Sequence, residues 1–323
     1  MSTKDSILRM LEDNRDIYLS GSKMAQKLGV TRAGVWKAIK TLEEEGYQIE
    51  AVTNKGYRLS DGNEKLSEYS ILRQLETEEL GKRIYLLPSV DSTNNYAKTL
   101  AANGAPHGTA VVAEMQTGGR GRLGRSFLSP AGAGMYLSVI LRPQGGTDHA
   151  LLITSAAAVA VCRAVERFVD TKAQIKWVND VYIEGKKLCG ILTEAVSDLE
   201  SGDVEYAVVG IGINLTCDAF PPELKEIATS LLEHGWKKPE CAALIAAVLY
   251  ELEQVYQKLD TAEFMEEYKR RSCVIGKWVN AIRAGVSRTV FVKDIDQTGA
   301  LIVETEEGRT ERINSGEISI RFM

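Results

Sequence analysis

The loop TGGRGRLGRS at 117–126 separates the strand-like run GTAVVAEMQT from FLSPAGAGMYLSVILRP, and that second run limits what the chain can fold into. Gly119, Gly121 and Gly124 spell the G-x-G-x-x-G of a dinucleotide fold, and Gly119 to Ser126 falls one residue short of the phosphate loop G-x-x-x-x-G-K-[ST]. In both folds the glycines end a strand and open a helix whose first N–H groups receive phosphate. Here Pro130 and the small residues Ala131 to Gly134 are followed by a period-two pattern, so the loop leads into another strand. Arg125 also stands where a phosphate loop needs lysine. What remains is a glycine loop carrying Arg120, Arg122 and Arg125, suited to gripping a polyanion through bidentate side-chain bonds. Without a ligand, like charges on such a segment repel one another and keep it mobile. A solvated basic surface loop is the plain alternative.

The 323 residues are enough for two or three domains, and 44% hydrophobic with 26% charged residues is the composition of a soluble globular chain. MSTKDSILRM lacks the apolar centre of a signal peptide, and ALLITSAAAVAVC is too short to span a bilayer, so a cytoplasmic protein without membrane association is expected. Five scattered cysteines without a C-x-x-C, and three histidines far apart, indicate neither a disulfide framework nor a zinc site. The net charge is −5, but the first 60 residues hold ten Lys/Arg against eight Asp/Glu while the rest hold 29 against 36. Any nucleic-acid contact therefore belongs to the N-terminal segment.

Residues 1–62 read as a winged helix-turn-helix. Ile7, Leu8 and Leu11 share a face of a first helix; Ser22 caps a second with Met24, Ala25 and Leu28 inward; Gly29 ends it. Thr31 caps a third helix with Val35, Ala38, Ile39 and Leu42 buried, and Gly46 stops it. YQIEAV and GYRL then form the wing hairpin, with Lys55 and Arg58 at or near its tip. Thr31, Arg32, Trp36, Lys37, Lys40 and Lys55 are the candidate DNA contacts. SDGNEKLSE at 60–68 reads as a polar hinge. Residues 66–272 alternate strand-like runs with two alanine-rich helices, and 273–323 hold five short strands, as in an SH3-like β-barrel. The fold class is therefore a multidomain α/β protein.

DSTN at 91–94, QTGGRGRLGR at 116–125, KWVND at 176–180, KKLCGIL at 186–192 and GIGINL at 210–215 resemble, in order and spacing, the catalytic domain of biotin protein ligases. The leading winged helix makes the chain similar to the bifunctional class that also represses biotin operons. This resemblance covers nearly the whole chain and implies a mixed-sheet catalytic domain at 66–272. It implies two steps: biotin and ATP give biotinyl-5′-adenylate and pyrophosphate, and a lysine of a biotin carboxyl carrier domain then attacks the mixed anhydride.

The same resemblance implies the site. Ser92, Thr93, Asn94, Gln116 and the backbone at Gly210 would hold biotin's ureido ring, although each alone also reads as a helix cap or a turn residue. Arg120, Arg122 and Lys187 would meet the biotin carboxylate and the α-phosphate. Gly119, Gly121, Arg122, Arg125, Lys176, Asn179, Asp180 and Asn214 would line the adenylate site. Lys187, Asp180 and Arg120 are the candidate catalytic residues, Asp180 orienting or deprotonating the incoming lysine, which is otherwise protonated at neutral pH. Magnesium would accompany ATP near Asp180, with no ligand set assigned. In KEIATSLLEHGW, where some family members carry an adenine-stacking tryptophan, the nearest equivalents are Ala228 and Thr229, with Trp236 further on. Operator DNA and a ligand-promoted homodimer complete the implied partners. A non-enzymatic biotin sensor and a lipoate-type ligase are the competing readings.

Overall fold

The computed structural model describes residues 2–63, 65–143, 148–197, 204–237, 240–283, 286–314 and 316–320. Two compact units emerge, Met1–Gln74 with Lys237–Ala243, and Leu75–Trp236 with Leu244–Met323.

In the first unit α1 (Thr3–Glu12), α2 (Gly21–Leu28) and α3 (Arg32–Glu44) precede a hairpin of β1 (Ile49–Val52) and β2 (Gly56–Leu59) and the short α4 (Glu68–Leu72). The helical stripes meet as their spacing requires: Ile7, Leu11, Met24, Val35, Ile39 and Leu42 are buried together, and Leu59 closes the core from the hairpin. Thr31 caps α3 by accepting from Gly34 N at 3.0 Å. The expected Ser22 cap is corrected: α2 begins at Gly21 with Ser20 at the N-cap position, which puts Ser22 inside the first turn. In the wing, Val52 pairs with Gly56 around the turn that carries Lys55. Arg58 lies within β2, bonded to Glu50 at 3.0 Å.

The second unit contains β3 (Ile84–Leu87), α5 (Thr93–Ala102), β4 (Ala110–Ala113), β5 (Gly134–Leu141), α6 (Asp148–Val165), β6 (Gln174–Lys176), β7 (Asp180–Ile183), β8 (Lys186–Ser197), β9 (Val204–Asn214), the one-turn α7 (Pro222–Lys225), α8 (Cys241–Tyr256) from Leu244 onward, and α9 (Phe264–Arg271). Its seven-stranded sheet has the order β3-β4-β5-β9-β8-β7-β6. Only β3 and β4 run parallel; the other pairs are antiparallel, which makes the mixed sheet expected. QIKWVND, read as one strand, is divided: β6 ends at Lys176 and β7 starts at Asp180. The arginine loop contains a single 3-10 turn at Arg122–Gly124 before β5, so no α-helix follows the glycines. The helix α9 was not foreseen, because its mean character is strongly polar.

Beyond α9, β10 (Trp278–Arg283), β11 (Val286–Ile295), β12 (Leu301–Thr305), β13 (Thr310–Ile313) and β14 (Glu317–Ile320) form an antiparallel sheet of order β13-β12-β11-β10-β14. These are the five strands expected of an SH3-like module, although among the described residues the barrel is not closed by pairing of β13 with β14. No described helix is long and apolar enough to cross a membrane.

The C-terminal end of α9 is fixed by charge. Arg271 bonds both oxygens of Glu166, at 2.7 and 3.0 Å, and Glu267 at 2.8 Å, while Arg163 reaches Glu267 at 2.5 Å. Burial pushes both carboxyls up, but bonds from Arg271 and Arg163 outweigh it and hold them below the ordinary 4.5. Because their folded pKa values are lowered, the stability they confer is present above pH 4.5 and lost as pH falls through the folded values. Arg271→Met leaves two half-buried carboxylates short of a cation, a change that costs about 2 kcal/mol. Thermal unfolding should show that deficit in full at neutral pH and shrinking below pH 4.5, where the carboxyls protonate. A deficit independent of pH would contradict this.

Candidate active site

Sheet register builds the floor of one cleft. Across the sheet Asp180 faces Gly190, Gly190 faces Gly212 and Gly212 faces Tyr136; in the next row Leu192 faces Gly210 and Gly210 faces Ser138. Residues paired across strands, and residues two apart along them, share a face. The glycines of KLCGIL and GIGIN therefore lie side by side within strands and bare the backbone, so Gly210 is not a turn residue. An added Cβ at Gly210 would lie 2.2 Å from Asn94 Oδ1, and one at Gly212 would lie 2.5 Å from the Phe127 ring. Phe127 rests on this floor, edge-on to Tyr136 at 6.5 Å.

The N-terminal turn of α5 covers the end of the floor nearest β5 with neutral polar groups. Thr93 N and Thr93 Oγ1 both donate to Gln116 Oε1, at 2.8 and 3.1 Å, and Gln116 Nε2 donates to Ser129 Oγ at 2.9 Å. Asn94 Nδ2 donates to Leu192 O and to Glu194 Oε2. Ser92 occupies the N-cap position, yet its hydroxyl makes no capping bond and lines the cleft.

The opposite end, at β7, is charged. Asp180 begins β7 and Lys187 is the second residue of β8, and a β-bulge determines whether they can meet. Val181 pairs with Cys189 but Tyr182 pairs with Lys187, leaving Leu188 as the extra residue. In an unbroken ladder Lys187 would face Ile183 and point into the core. The bulge turns Lys187 onto the face of Asp180, to which its Nζ stands at 2.8 Å. That Oδ1 is buried, and among the described residues the Lys187 ammonium is the one group set against it, at charge-assisted distance. Nearby, Arg122 donates to Asn179 Oδ1 at 3.3 Å, Asn179 Nδ2 is held by Ile191 O at 2.8 Å, and Lys176 lies over the Tyr182 ring at 5.3 Å.

The arginine loop closes one side of the cleft. Gly121 N bonds Arg125 O and Phe127 N bonds Gly119 O, folding it back on itself. Its guanidinium groups are spread over different acceptors: Arg120 reaches Asn95 and both oxygens of Glu194, and Arg122 reaches Asn179. Ser92, Thr93, Asn94, Gln116, Arg120, Gly121, Arg122, Arg125, Lys176, Asn179, Asp180, Lys187 and Gly210 all line this cleft. Gly119 and Asn214 lie behind its wall, where the buried Asn214 amide donates to Lys187 O and Thr229 O. Trp236 is 2% exposed and presents no stacking face. Sequence reading missed Phe127, Trp177, Gly190, Leu192 and Gly212, and Gly316 and Ile318 of the C-terminal module, all of which line the cleft, and Glu194 behind it. The alternation of Gly210 and Gly212 was a usable signal for one face; the others depend on tertiary contact.

Among the described residues no group of three or more His, Cys, Asp or Glu is arranged to hold a metal. A divalent cation here would have Asp180 as its carboxylate and would draw its other oxygen ligands from a phosphate substrate and water. On the first unit, Thr31, Arg32, Trp36, Lys37, Lys40 and Lys55 are all exposed, Trp36 at 56%. Thr31 is committed to its cap, and Lys40 is paired with Glu43 at 2.5 Å.

Gly119 tests the loop without reference to any ligand. An added Cβ would lie 2.4 Å from Phe127 O and 2.6 Å from Ser129 Oγ, so Gly119→Ala cannot keep the loop folded back. Trypsin should cleave after Arg120, Arg122 or Arg125 faster than in the unsubstituted chain, and an unchanged rate would refute the role given to those contacts.

Residues 86–214 match the Biotin/lipoate A/B protein ligase family, residues 3–58 an HTH domain, and residues 274–321 the Biotin protein ligase C terminal domain. The chain is 40% identical to the Bifunctional ligase/repressor BirA of Bacillus spizizenii, over 94% of each chain, and 38% identical to that of Bacillus subtilis, over 98% of each. Among solved structures it resembles the biotin protein ligase of Aquifex aeolicus in complex with biotin and ATP, with a TM-score of 0.62 and 32% identity over 74% of this chain and 99% of that one. With the fold, the ordered motifs and the leading helix-turn-helix all in agreement, the chain belongs to the bifunctional ligase/repressor branch of the biotin protein ligase family.

Proposed function

We propose that this protein joins biotin to ATP as biotinyl-5′-adenylate, transfers the biotinyl group to a lysine of a biotin carboxyl carrier domain, and with the adenylate bound represses biotin genes. One observation carries the reading: a single cleft is lined both by the neutral donors and acceptors of Ser92, Thr93, Asn94 and Gln116 and by the cations Arg120, Arg122 and Lys187. Such a cleft suits a ligand with an uncharged polar ring and an anionic tail. Thr93, Gln116, Asn94 and Ser92 take the ureido ring over the bare backbone at Gly210. Lys187, Arg120 and Arg122 take the biotin carboxylate and α-phosphate, whose approach to each other is otherwise repulsive. Gly121, Arg125, Lys176 and Asn179 lie against the nucleotide, with Gly119 and Asn214 supporting the wall. Magnesium supplies charge neutralisation of pyrophosphate when bound.

In the first step a biotin carboxylate oxygen bonds the α-phosphorus and pyrophosphate leaves. In the second the carrier amine bonds the acyl carbon, AMP leaves and the amine proton goes to Asp180. Lys187 neutralises Asp180 until an anionic ligand draws it away, so the base is released only once ligand is present. Incubation of the chain with biotin, ATP and a carrier domain should biotinylate one carrier lysine; an unmodified carrier would overturn the reading.

Lys187→Ala should slow adenylate formation by about 10²-fold, as loss of a preorganised cation commonly does. Asp180→Ala should slow single-turnover transfer from preformed adenylate at least as much as activation. Because the two groups form one ion pair, the double variant should lose less than the product of the single losses. Fully multiplicative losses would mean that they act independently.

The repressor half rests on the exposed basic face of α3 in a chain that is otherwise acidic. One such face makes few phosphate contacts, so tight binding needs a homodimer on a two-fold operator, and adenylate is proposed to promote that dimer. A cytoplasmic location follows from the same role. Arg32→Ala and Lys37→Ala should each weaken operator binding about tenfold, with adenylation intact. Sedimentation and operator binding should both increase with biotin plus ATP, and equal affinity without them would leave a ligase with an unregulated DNA-binding domain.

A further inference from the structure

The turn that carries Asn179 and Asp180 is held from outside the catalytic sheet. Ile175 O accepts from Cys273 N at 2.9 Å, and Val178 O accepts from Tyr268 Oη at 3.0 Å. Between them Trp177, only 3% exposed, donates its indole N–H to Gly299 O at 2.8 Å. A buried indole N–H without a partner is costly, so this bond fixes where the ring sits, and the ring is in covalent series with the residues at the cleft.

Gly299 belongs to the β11–β12 turn of the C-terminal module, and that turn is itself constructed. Asp296 Oδ1 accepts from Thr298 N at 2.9 Å and Ala300 N at 3.0 Å, and Asp296 Oδ2 accepts from Arg312 Nε of β13 at 2.6 Å. Gly299 has φ +82°, and an added Cβ would lie 3.2 Å from Ser155 Oγ. The turn thus presents one carbonyl at a set position.

We infer that Trp177 is a positioning residue, through which the Asp296-built turn of the C-terminal module sets the placement of Asn179 and Asp180. Asp296 does not line the cleft, so an effect of changing it on the reaction is indirect, and the double variant below separates this path from one through Gly316 and Ile318 of the same module. The inference rests on the ligase reading for its kinetics but not for its structural content.

In the full-length chain, Trp177→Phe keeps an aromatic ring and removes the N–H, while Asp296→Ala dismantles the turn. Each should lower kcat for adenylate formation about tenfold, since small misplacement of reacting groups is expensive, and Asp296→Ala, which lies off the cleft, should leave the KM for biotin within about twofold. The double variant should be no slower than the slower single one, because both break one path. Asp296→Asn, whose amide oxygen still accepts the two backbone bonds, should recover most of the rate. Deuterium uptake should rise across residues 176–183 in both single variants and stay unchanged in α6. Wild-type kcat in Trp177→Phe, multiplicative losses in the double variant, or unchanged uptake at 176–183 would each overturn the inference. A wild-type chain that makes no adenylate would overturn the ligase reading, and the exchange result would still judge the positioning path.

Discussion

The site depends on one extra residue in one strand. With Leu188 bulged out of the β7–β8 ladder, Lys187 stands beside Asp180 above the glycine floor; with a regular ladder it would face Ile183, which is buried. Buried lysine without a partner is unfavourable, so the pair and the bulge stabilise each other. The backbone adds a further tie, since Lys187 N bonds Ile227 O and Thr229 N bonds Lys187 O. Both the charge at the cleft and the strap at 227–229 thus follow from the same local departure from regular pairing.

Before a ligand arrives, cations of the cleft are already engaged: Lys187 with Asp180, Arg120 with Glu194, Arg122 with Asn179. Glu194 serves two cations, since Lys98 also reaches it at 2.8 Å. Burial raises the Glu194 carboxyl, but bonds from Lys98 and Asn94 and the charges of Lys98 and Arg120 hold it below its ordinary range. On the proposed reading, binding an anionic ligand is an exchange of partners, in which internal carboxylates give way to a carboxylate and a phosphate. Such an exchange leaves the free protein stable while keeping cations available where charge must be neutralised.

Much of this was legible in the sequence where it depended on local rules. The winged helix followed from stripes such as Val35, Ile39 and Leu42, and the failure of a helix to open after Gly124 ruled out both common nucleotide folds. The residues gathered at the cleft were recognised through their order along the chain, by resemblance. Features set by three-dimensional contact were not legible. The bulge at Leu188 leaves no mark in KKLCGIL, and Phe127 reads as an ordinary apolar residue until its ring is found on Gly212. The separation of β6 from β7 was hidden because QIKWVND has strand-like residues throughout. The polar α9 carries its meaning in Arg271, whose carboxylate partner Glu166 lies far away in sequence.

The central claim is that this cleft activates biotin with ATP and does more than sense it. Exchange of labelled pyrophosphate into ATP, measured with and without biotin and with no carrier present, tests it most directly. The account expects label to appear in ATP only when biotin is added, because adenylate formation is then reversible on the enzyme. Biotin binding without any exchange would show a sensor, and would contradict the roles given to Lys187, Arg120 and Asp180.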